Sequence, residues 1–416
     1  MAMALDQIDL SDIEFWARPW AEREEAFAAL RAQSPIRFFE EPEIPMLPTG
    51  PGYWALTRHA DVLEASKQPD KFQSGKGTNI GDMPPDFLEF FGSMINMDDP
   101  KHARLRKIVS RVFTPKHLGA VMDQVETSAA EVIDAVVEKG SCDFVTEVAA
   151  VLPLRIIVDM MGIPRSQEQF IFDRTNIILG AGDPEYVPDQ ENPGAIMTAL
   201  LTAGQELAML VQDLGDSRVN LPQDDLITAL MTADVDGDRL TPAEVGSFFI
   251  LLVVAGNETT RNAIAHGLHV LTENPEQKQL WMDDFDGLTN TAVEELVRWA
   301  TPVIHFRRTV TTDGTRIGEH EFSEGDKVVL FYNSANRDEA VFENPQTFDV
   351  RRAPNDHVGF GGPGPHFCLG AHLARREITV LFRELFRRIP NIHATGEPER
   401  LRSNFINGIK HLPAAW

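Results

Sequence analysis

Cys368 stands in the stretch Gly359-Phe360-Gly361-Gly362-Pro363-Gly364-Pro365-His366-Phe367-Cys368-Leu369-Gly370, at the point where a helix is expected to begin. Beyond it Leu373, Ile378, Leu381, Phe382 and Leu385 recur at helical spacing, so residues 369–388 are predicted to be helical. Free amide N–H groups and the positive dipole end stabilise a thiolate at a helix N-terminus, which suits this sulfur to binding a metal. The glycines let backbone approach something flat and bulky. Gly359, Gly361 and Gly364 also satisfy a G-x-G-x-x-G pattern. Residues 351–357, however, are polar and hold Pro354, whereas a dinucleotide turn needs a buried strand feeding it. A lone cysteine is most often a small core residue, so companions must decide.

Three companions stand upstream. Ala255-Gly256-Asn257-Glu258-Thr259-Thr260 interrupts an apolar run with a glycine and an acid beside two threonines. Such a glycine costs about 1 kcal/mol in a helix relative to alanine. Thr259 can bond a backbone carbonyl one turn back and open a groove for a small ligand and water. Glu295 and Arg298 sit three apart on one helix face. Phe342-Glu343-Asn344-Pro345-Gln346-Thr347-Phe348-Asp349 is followed by Arg351 and Arg352.

The elements that must carry these residues are mostly helical, because apolar residues recur at three-to-four spacing through most of the 416-residue chain. Thr241-Pro242-Ala243-Glu244 has the form of a capping box opening a long apolar helix that runs beyond His269. Residues 11–32 suggest opening helices, before a break at Pro42, Pro45, Pro48 and Pro51. Residues 53–57 and 309–331 read as strands, so a small sheet is expected beside the helical body. The stretch 72–99 reads as an apolar loop and 181–195 as a polar one. Asp234, Asp236, Gly237 and Asp238 evoke a calcium loop, but its twelfth position would be Ala243, so a turn is expected. His266 and His269 have no third ligand and read as ordinary helix residues.

Composition excludes several classes. A net charge of −25 disfavours nucleic acid and anionic lipid. Basic residues gather at Lys101, Arg104, Arg106, Lys107, Arg111 and Lys116, and again at Arg375, Arg376, Arg383, Arg387 and Arg388. Two cysteines, Cys142 and Cys368, and no secretory signal point to a reducing cytoplasm. The longest plain apolar run, 248–255, is eight residues, against the roughly 20 of a spanning helix, so no membrane span is expected.

In this order and at these separations the four blocks resemble the cytochrome P450 family, from about Phe72 onward. The resemblance implies a mainly α, triangular helical body with a small β-sheet region, as a single domain over 1–416. The β-rich parts would lie at about 33–60 and 303–335, with a C-terminal hairpin at about 400–413. It implies haem b with Cys368 as the metal ligand and no flavin. Ala255, Gly256, Phe360, Gly361 and Gly370 would lie against the haem, and His102, Arg106, Arg308 and His366 would hold its propionates. Arg307 is the rival to Arg308. Two buried carboxylates need such cationic or donor partners. Glu258 and Thr259 would relay protons to the oxygen being activated, and Glu295, Arg298 and Arg352 would form a structural ion triad. The commonest family signature places the cysteine seven residues after the phenylalanine, whereas Phe360 to Cys368 is eight. Pro363 and Pro365 remove two amide donors from that loop, so donors to the sulfur are expected from beyond Cys368.

Thiolate ligation implies oxygen activation, hence a monooxygenase that inserts one oxygen atom of O2 into a C–H bond. Electrons are expected from a ferredoxin and its NAD(P)H-dependent reductase, docking on the basic patches. Ile95, Leu251, Val254, Ala255, Val303, Ile304, Phe306, Phe405 and Ile406 are expected to line a greasy substrate pocket. The blocks 248–262, 294–308 and 405–413 are most similar to members that hydroxylate the terminal methyl of methyl-branched lipids, isoprenoids or sterol side chains. The competing readings are a haem-based lipid or gas sensor, for which a proton relay has no use, and a peroxide-driven peroxygenase.

Overall fold

The computed structural model describes residues 3–41, 49–112, 115–234 and 237–416, with side chains for all of these except 111, 112, 115–118, 120 and 220. Pro42, Pro45, Pro48 and Asp236 lie outside the described residues, and Arg111 and Lys116 outside the described side chains.

Two short helices, α1 (Ile13–Ala17) and α2 (Trp20–Gln33), open the chain. After α3 (His59–Ser66) come α4 (Pro85–Gly92), α5 (Lys101–Val112), α6 (Pro115–Val136), α7 (Val151–Met161) and α8 (Glu168–Gly180). They are followed by α9 (Pro193–Asn220), α10 (Leu226–Thr232), α11 (Pro242–Glu273), α12 (Pro275–Asp283) and α13 (Phe285–Ala300). The short α14 (Tyr332–Ala335) and long α15 (Ala371–Arg388) complete the helices.

The helix α11 is the axis of the molecule. Its 32 residues extend about 48 Å at 1.5 Å per residue. Thr241 accepts from the Glu244 amide at 3.2 Å while the Glu244 carboxylate accepts from the Thr241 amide at 2.8 Å, the reciprocal cap expected from the sequence. Around one half of α11 the largest core cluster joins α6, α7, α13 and α15 through residues such as Ile133, Leu268, Leu296 and Leu381. Around the other half a second cluster joins α5 and α7–α10 through Leu105, Ile157, Leu207 and Leu230.

Beside this body lies a five-stranded sheet of β1 (Ile36–Phe39), β2 (Tyr53–Leu56), β3 (Phe72–Gln73), β5 (His305–Val310) and β8 (Lys327–Phe331), in the order β1-β2-β8-β5-β3. Among the described residues only β2 and β8 pair in parallel, with Ala55 opposite Val329. β4 (Ser141–Asp143) pairs with β12 (Pro413–Ala415), which also pairs with β9 (His393–Ala394). Two hairpins complete the strands: β6 (Thr315–Ile317) with β7 (His320–Phe322), and β10 (Glu399–Arg400) with β11 (Ile409–His411).

Two expectations need adjustment. The stretch 72–99, read as an apolar loop, contains α4, with Pro85 at its first position and Asp86 in its first turn. Proline at N1 and an acid near the N-terminus are helix-starting features that the flanking glycines obscured. Against the expectation of no membrane span, α9 over 193–219 is long and apolar enough to cross a membrane by length and composition alone, with 22% of its most apolar 18-residue window buried. It packs against α8, α10 and α11 and carries Glu206, Asp213, Asp216 and Arg218.

Candidate active site

A cavity of about 1860 Å³, counting its open mouth, lies between α11 and the loop that leads into α15. Cys368 lines it, and its sulfur is reached from the cavity. The backbone amides of Gly370 and Ala371, at the start of α15, favour the thiolate form of that sulfur. Burial raises the thiol above its ordinary range, while those amides and the Arg106 guanidinium oppose the rise. The one-residue-longer loop is closed on itself, with the Cys368 amide donating to Phe360 O at 3.0 Å and the Phe367 amide to Gly364 O at 3.2 Å.

Glycine is required at Gly364. Its φ is +149°, and an added Cβ would stand 2.5 Å from the Ser66 carbonyl oxygen. Across the cavity, a Cβ on Gly256 would meet Ile157 Cδ1 at 2.6 Å.

Four nitrogen-bearing side chains converge on one side. His102, Arg106, Arg308 and His366 all line the cavity, and the His102 and His366 ring centroids are 4.3 Å apart. Burial, Arg308, His102 and Arg106 together hold the His366 imidazole down to about 3, and burial with Arg106 also lowers His102. The His102 Nε2 is buried without a hydrogen-bond partner. Among the described residues neither Arg106 nor Arg308 is in a salt bridge, while His102 Nδ1 lies 3.5 Å from Asp99, so the two guanidinium groups remain open to an anion. A flat group with two carboxylates and a metal for the sulfur fits this donor set. Arg307, the rival to Arg308, points elsewhere: it pairs with Asp82 at 2.8 Å and bonds the carbonyl oxygens of Lys76, Ile80 and Gly81. It anchors the loop before α4.

On α11, Ala255, Gly256, Thr259 and Thr260 face the cavity, and Thr259 Oγ1 donates to the Ala255 carbonyl at 2.6 Å. Glu258 lies on another face of the helix. Its carboxylate is paired with Arg261, whose guanidinium also bonds Asn176 of α8 at 2.9 Å. Burial raises the Glu258 carboxyl, opposed by Arg261, and Glu258 Oε1 together with both Asn257 amide atoms has no partner. The acid and the threonine, adjacent in sequence, thus address different sides of one helix.

Of the predicted pocket residues, Ile95, Leu251, Ala255, Val303 and Phe306 line the cavity, as do Phe360, Gly361 and Gly370. Val254, Ile304, Phe405 and Ile406 do not. Val254 lies off the helical stripe formed by 248, 251, 252, 255, 256 and 259. Ile304 is in the core cluster of Phe15, Phe27 and Phe331. Phe405 packs at a tilt against Phe306, centroids 5.6 Å apart, and Ile406 is buried in a bridge to Val303. Met94, Ile157, Met160, Phe248 and Leu252 line the space instead. Nothing in the sequence marks the α7 residues Ile157 and Met160 as different from core.

Sequence reasoning also missed Glu377, on the cavity wall one turn of α15 beyond Leu373 and 3% exposed. The signal was an acid among the apolar residues of that helix.

The triad residues meet behind the site. Arg298 donates to both Glu295 carboxylate oxygens at 2.7 Å, and Arg352 Nε lies 3.1 Å from each. His266 and His269 are helix residues bonded to Asn407 O and near Glu273 respectively. Asp234 caps a turn through the Gly237 amide, and no metal-ligand cluster is found among the described residues.

A sequence model of the family described as Cytochrome P450 matches residues 205–389. A methyl-branched lipid omega-hydroxylase of Mycobacterium tuberculosis is 50% identical over 98% of this chain and 94% of its own length. A steroid C26-monooxygenase of Rhodococcus jostii is 40% identical over 97% and 83%. Among solved structures, a Mycobacterium marinum cytochrome P450 in complex with pseudoionone superposes with a TM-score of 0.92. It is 41% identical, with 100% of this chain and 99% of that one covered. The sulfur, the electropositive cluster and the long apolar helix therefore sit in a fold whose relatives are oxygenases, and the chain belongs to the cytochrome P450 family of monooxygenases.

Proposed function

We propose that this chain inserts one oxygen atom of O2 at the terminal carbon of a methyl-branched lipid or of a terpenoid or sterol side chain, using haem b held by Cys368. The observation that carries the reading is the cavity-facing sulfur at the N-terminus of α15, in the cavity that Gly256 and Thr259 of α11 also line. His102, Arg106, Arg308 and His366 would hold the propionates, and Ala255, Gly256, Phe360, Gly361 and Gly370 would lie against the ring. The bound haem supplies oxygen activation, which a thiolate ligand's electron donation favours.

The remaining work belongs to side chains. Ile95, Leu251, Val303 and Phe306, with Met94, Phe248 and Leu252, offer apolar surface with few polar anchors, which favours a greasy substrate and excludes water from it. Thr259 Oγ1 holds a proton at the cavity wall, and Glu258 supplies the acid on the far side of the helix. The activities printed for the relatives support terminal hydroxylation. A ferredoxin with its reductase would supply two electrons. Two free cysteines agree with a cytoplasmic setting.

The test is reconstitution with haem followed by product analysis over branched lipids, terpenoids and sterols, under NADH, ferredoxin and reductase, or with peroxide alone. Oxygen-dependent terminal hydroxylation is expected. Lipid binding without turnover would mark a sensor, and product from peroxide alone a peroxygenase. C368S is expected to lose the thiolate signature of the carbon monoxide complex; an unaltered spectrum would remove the reading.

A further inference from the structure

Outside the cavity, three arginines crowd a single indole. Trp20 and Arg23 lie in the first turn of α2, Arg337 follows α14 and Arg400 is on β10, so three distant segments meet at one ring. The guanidinium carbons of Arg337, Arg23 and Arg400 stand 4.8, 5.2 and 5.5 Å from the Trp20 ring centroid. Arg337 is fully buried and Arg23 is 6% exposed. Like charges gathered this closely and shielded from water repel one another, and an indole has only two faces on which to stack them. Burial, with Arg400 beside it, holds the Arg23 guanidinium down to about 10.

The chain supplies too little negative charge to compensate. Among the described residues Glu24 is the carboxylate paired with the cluster, 3.1 Å from Arg337 Nε, while Arg23 and Arg400 are in no salt bridge. Glu273 and Glu397 attract Arg400 from beyond ion-pair distance. His266, packed near the Trp20 ring, is held well below its ordinary value by burial and by Arg400, so it adds no charge of either sign. Arg337 Nη2 donates to Trp299 O at 2.8 Å, but Arg337 Nη1, Arg23 Nε and Arg400 Nη1 are buried with no hydrogen-bond partner. Glu24 Oε1 is likewise unpartnered, yet its carboxylate is already engaged by Arg337 through Oε2. Buried cations need an anion and acceptors for their N–H groups.

We propose that Arg23, Arg337 and Arg400, gathered around Trp20, bind one small free oxyanion of the phosphate or sulfate class. Guanidinium forks match the paired oxygens of such an ion, which a halide does not offer. Trp20 and Arg400 are half-buried and leave the approach from solvent, whereas Arg23 and Arg337 close the inner side. That enclosure suits a free ion and not a phosphate carried on a nucleotide or a lipid. The bound ion fastens α2 to β10 and to the segment after α14, a role independent of the haem and of the reaction proposed above.

The test is the thermal midpoint of the full haem-loaded chain as phosphate replaces chloride at constant ionic strength. An ion that binds only the folded state is expected to raise the midpoint saturably, by about 1–3 °C at ten times the half-saturating concentration. R23Q and R400Q are each expected to lose that response. R351Q, which removes an exposed arginine paired with Asp349, is expected to keep it. A midpoint unmoved by phosphate, or an equal rise in all three variants, overturns the proposal. Crystals of the unsubstituted protein grown with selenate give a reading that needs no variant to fold. An anomalous peak bonded to the three guanidinium groups is expected, and ordered water alone at that place overturns the site.

Discussion

At the scale of single residues, the buried Glu377 carboxyl makes a prediction about stability. Its folded value near 8 lies above the ordinary 4.5, so between these pH values the folded state binds more protons than the unfolded one. Stability is therefore expected to fall as pH rises through that window and to level off above it, by at most about 5 kcal/mol from this group. E377Q should unfold at the same urea concentration as wild type near pH 4.5 and at a higher one at pH 9; parallel curves would refute the assignment. Arg298 is the opposite case, a fully buried charge whose partners are all present in Glu295, Asn336 O and Pro345 O. R298A leaves Glu295 with Arg352 as its remaining cation and is expected to cost about 3–5 kcal/mol by denaturant unfolding. Residues such as Cys368 and Arg298 were legible because their chemistry is unusual for their position. Glu258 was legible as an acid in an apolar helix, but not the face it takes, since one residue along a helix turns a side chain by about 100°.

At the scale of elements, long periodic helices with chemical caps could be read directly. The Thr241 and Glu244 box starts α11 where the sequence placed it, and Glu244 carries a second load by bonding Arg104 of α5 at 2.7 Å. T241A is expected to lower stability by about 1 kcal/mol, measured as a shift in thermal midpoint, by orphaning an amide of the first turn. Less was legible where tertiary contacts outweigh local pattern. Ile304 and Phe306 are equally apolar, and only the packing of Phe331 and Phe405 decides which of them meets the cavity. The loop 359–370 sits between these extremes: its glycines announced a close approach, but not that Ser66 of α3 is what they approach. G364A is expected to displace the segment carrying Cys368 and to reduce haem uptake on reconstitution, while helix content by circular dichroism stays unchanged.

At the scale of the whole molecule, the charge of −25 conceals how the positive side chains are used. Arg376 and Arg383 both pair with Glu126, Arg375 with Glu294, and Arg388 with Asp134, so the second basic patch mainly fastens α15 to α6 and α13. Arg104 is similarly committed to Glu244. Lys101 is 73% exposed and only 3.9 Å from Glu89, which makes it the cleaner probe of docking by an acidic ferredoxin. K101E is expected to raise the ferredoxin KM at low ionic strength with stability unchanged, and the difference should vanish in high salt, where the Debye length is about 3 Å. An unchanged KM at low salt would place the partner elsewhere. The two sulfurs also divide the molecule unequally. Cys142 sits on β4 facing the C-terminal strand, where burial, Glu147 and Asp143 push its thiol up to about 12, whereas Cys368 opens onto the cavity. A bulky maleimide should therefore modify one position in the colourless protein and none once pigment is bound, turning alkylation stoichiometry into a gauge of cofactor loading that needs no absorbance spectrum.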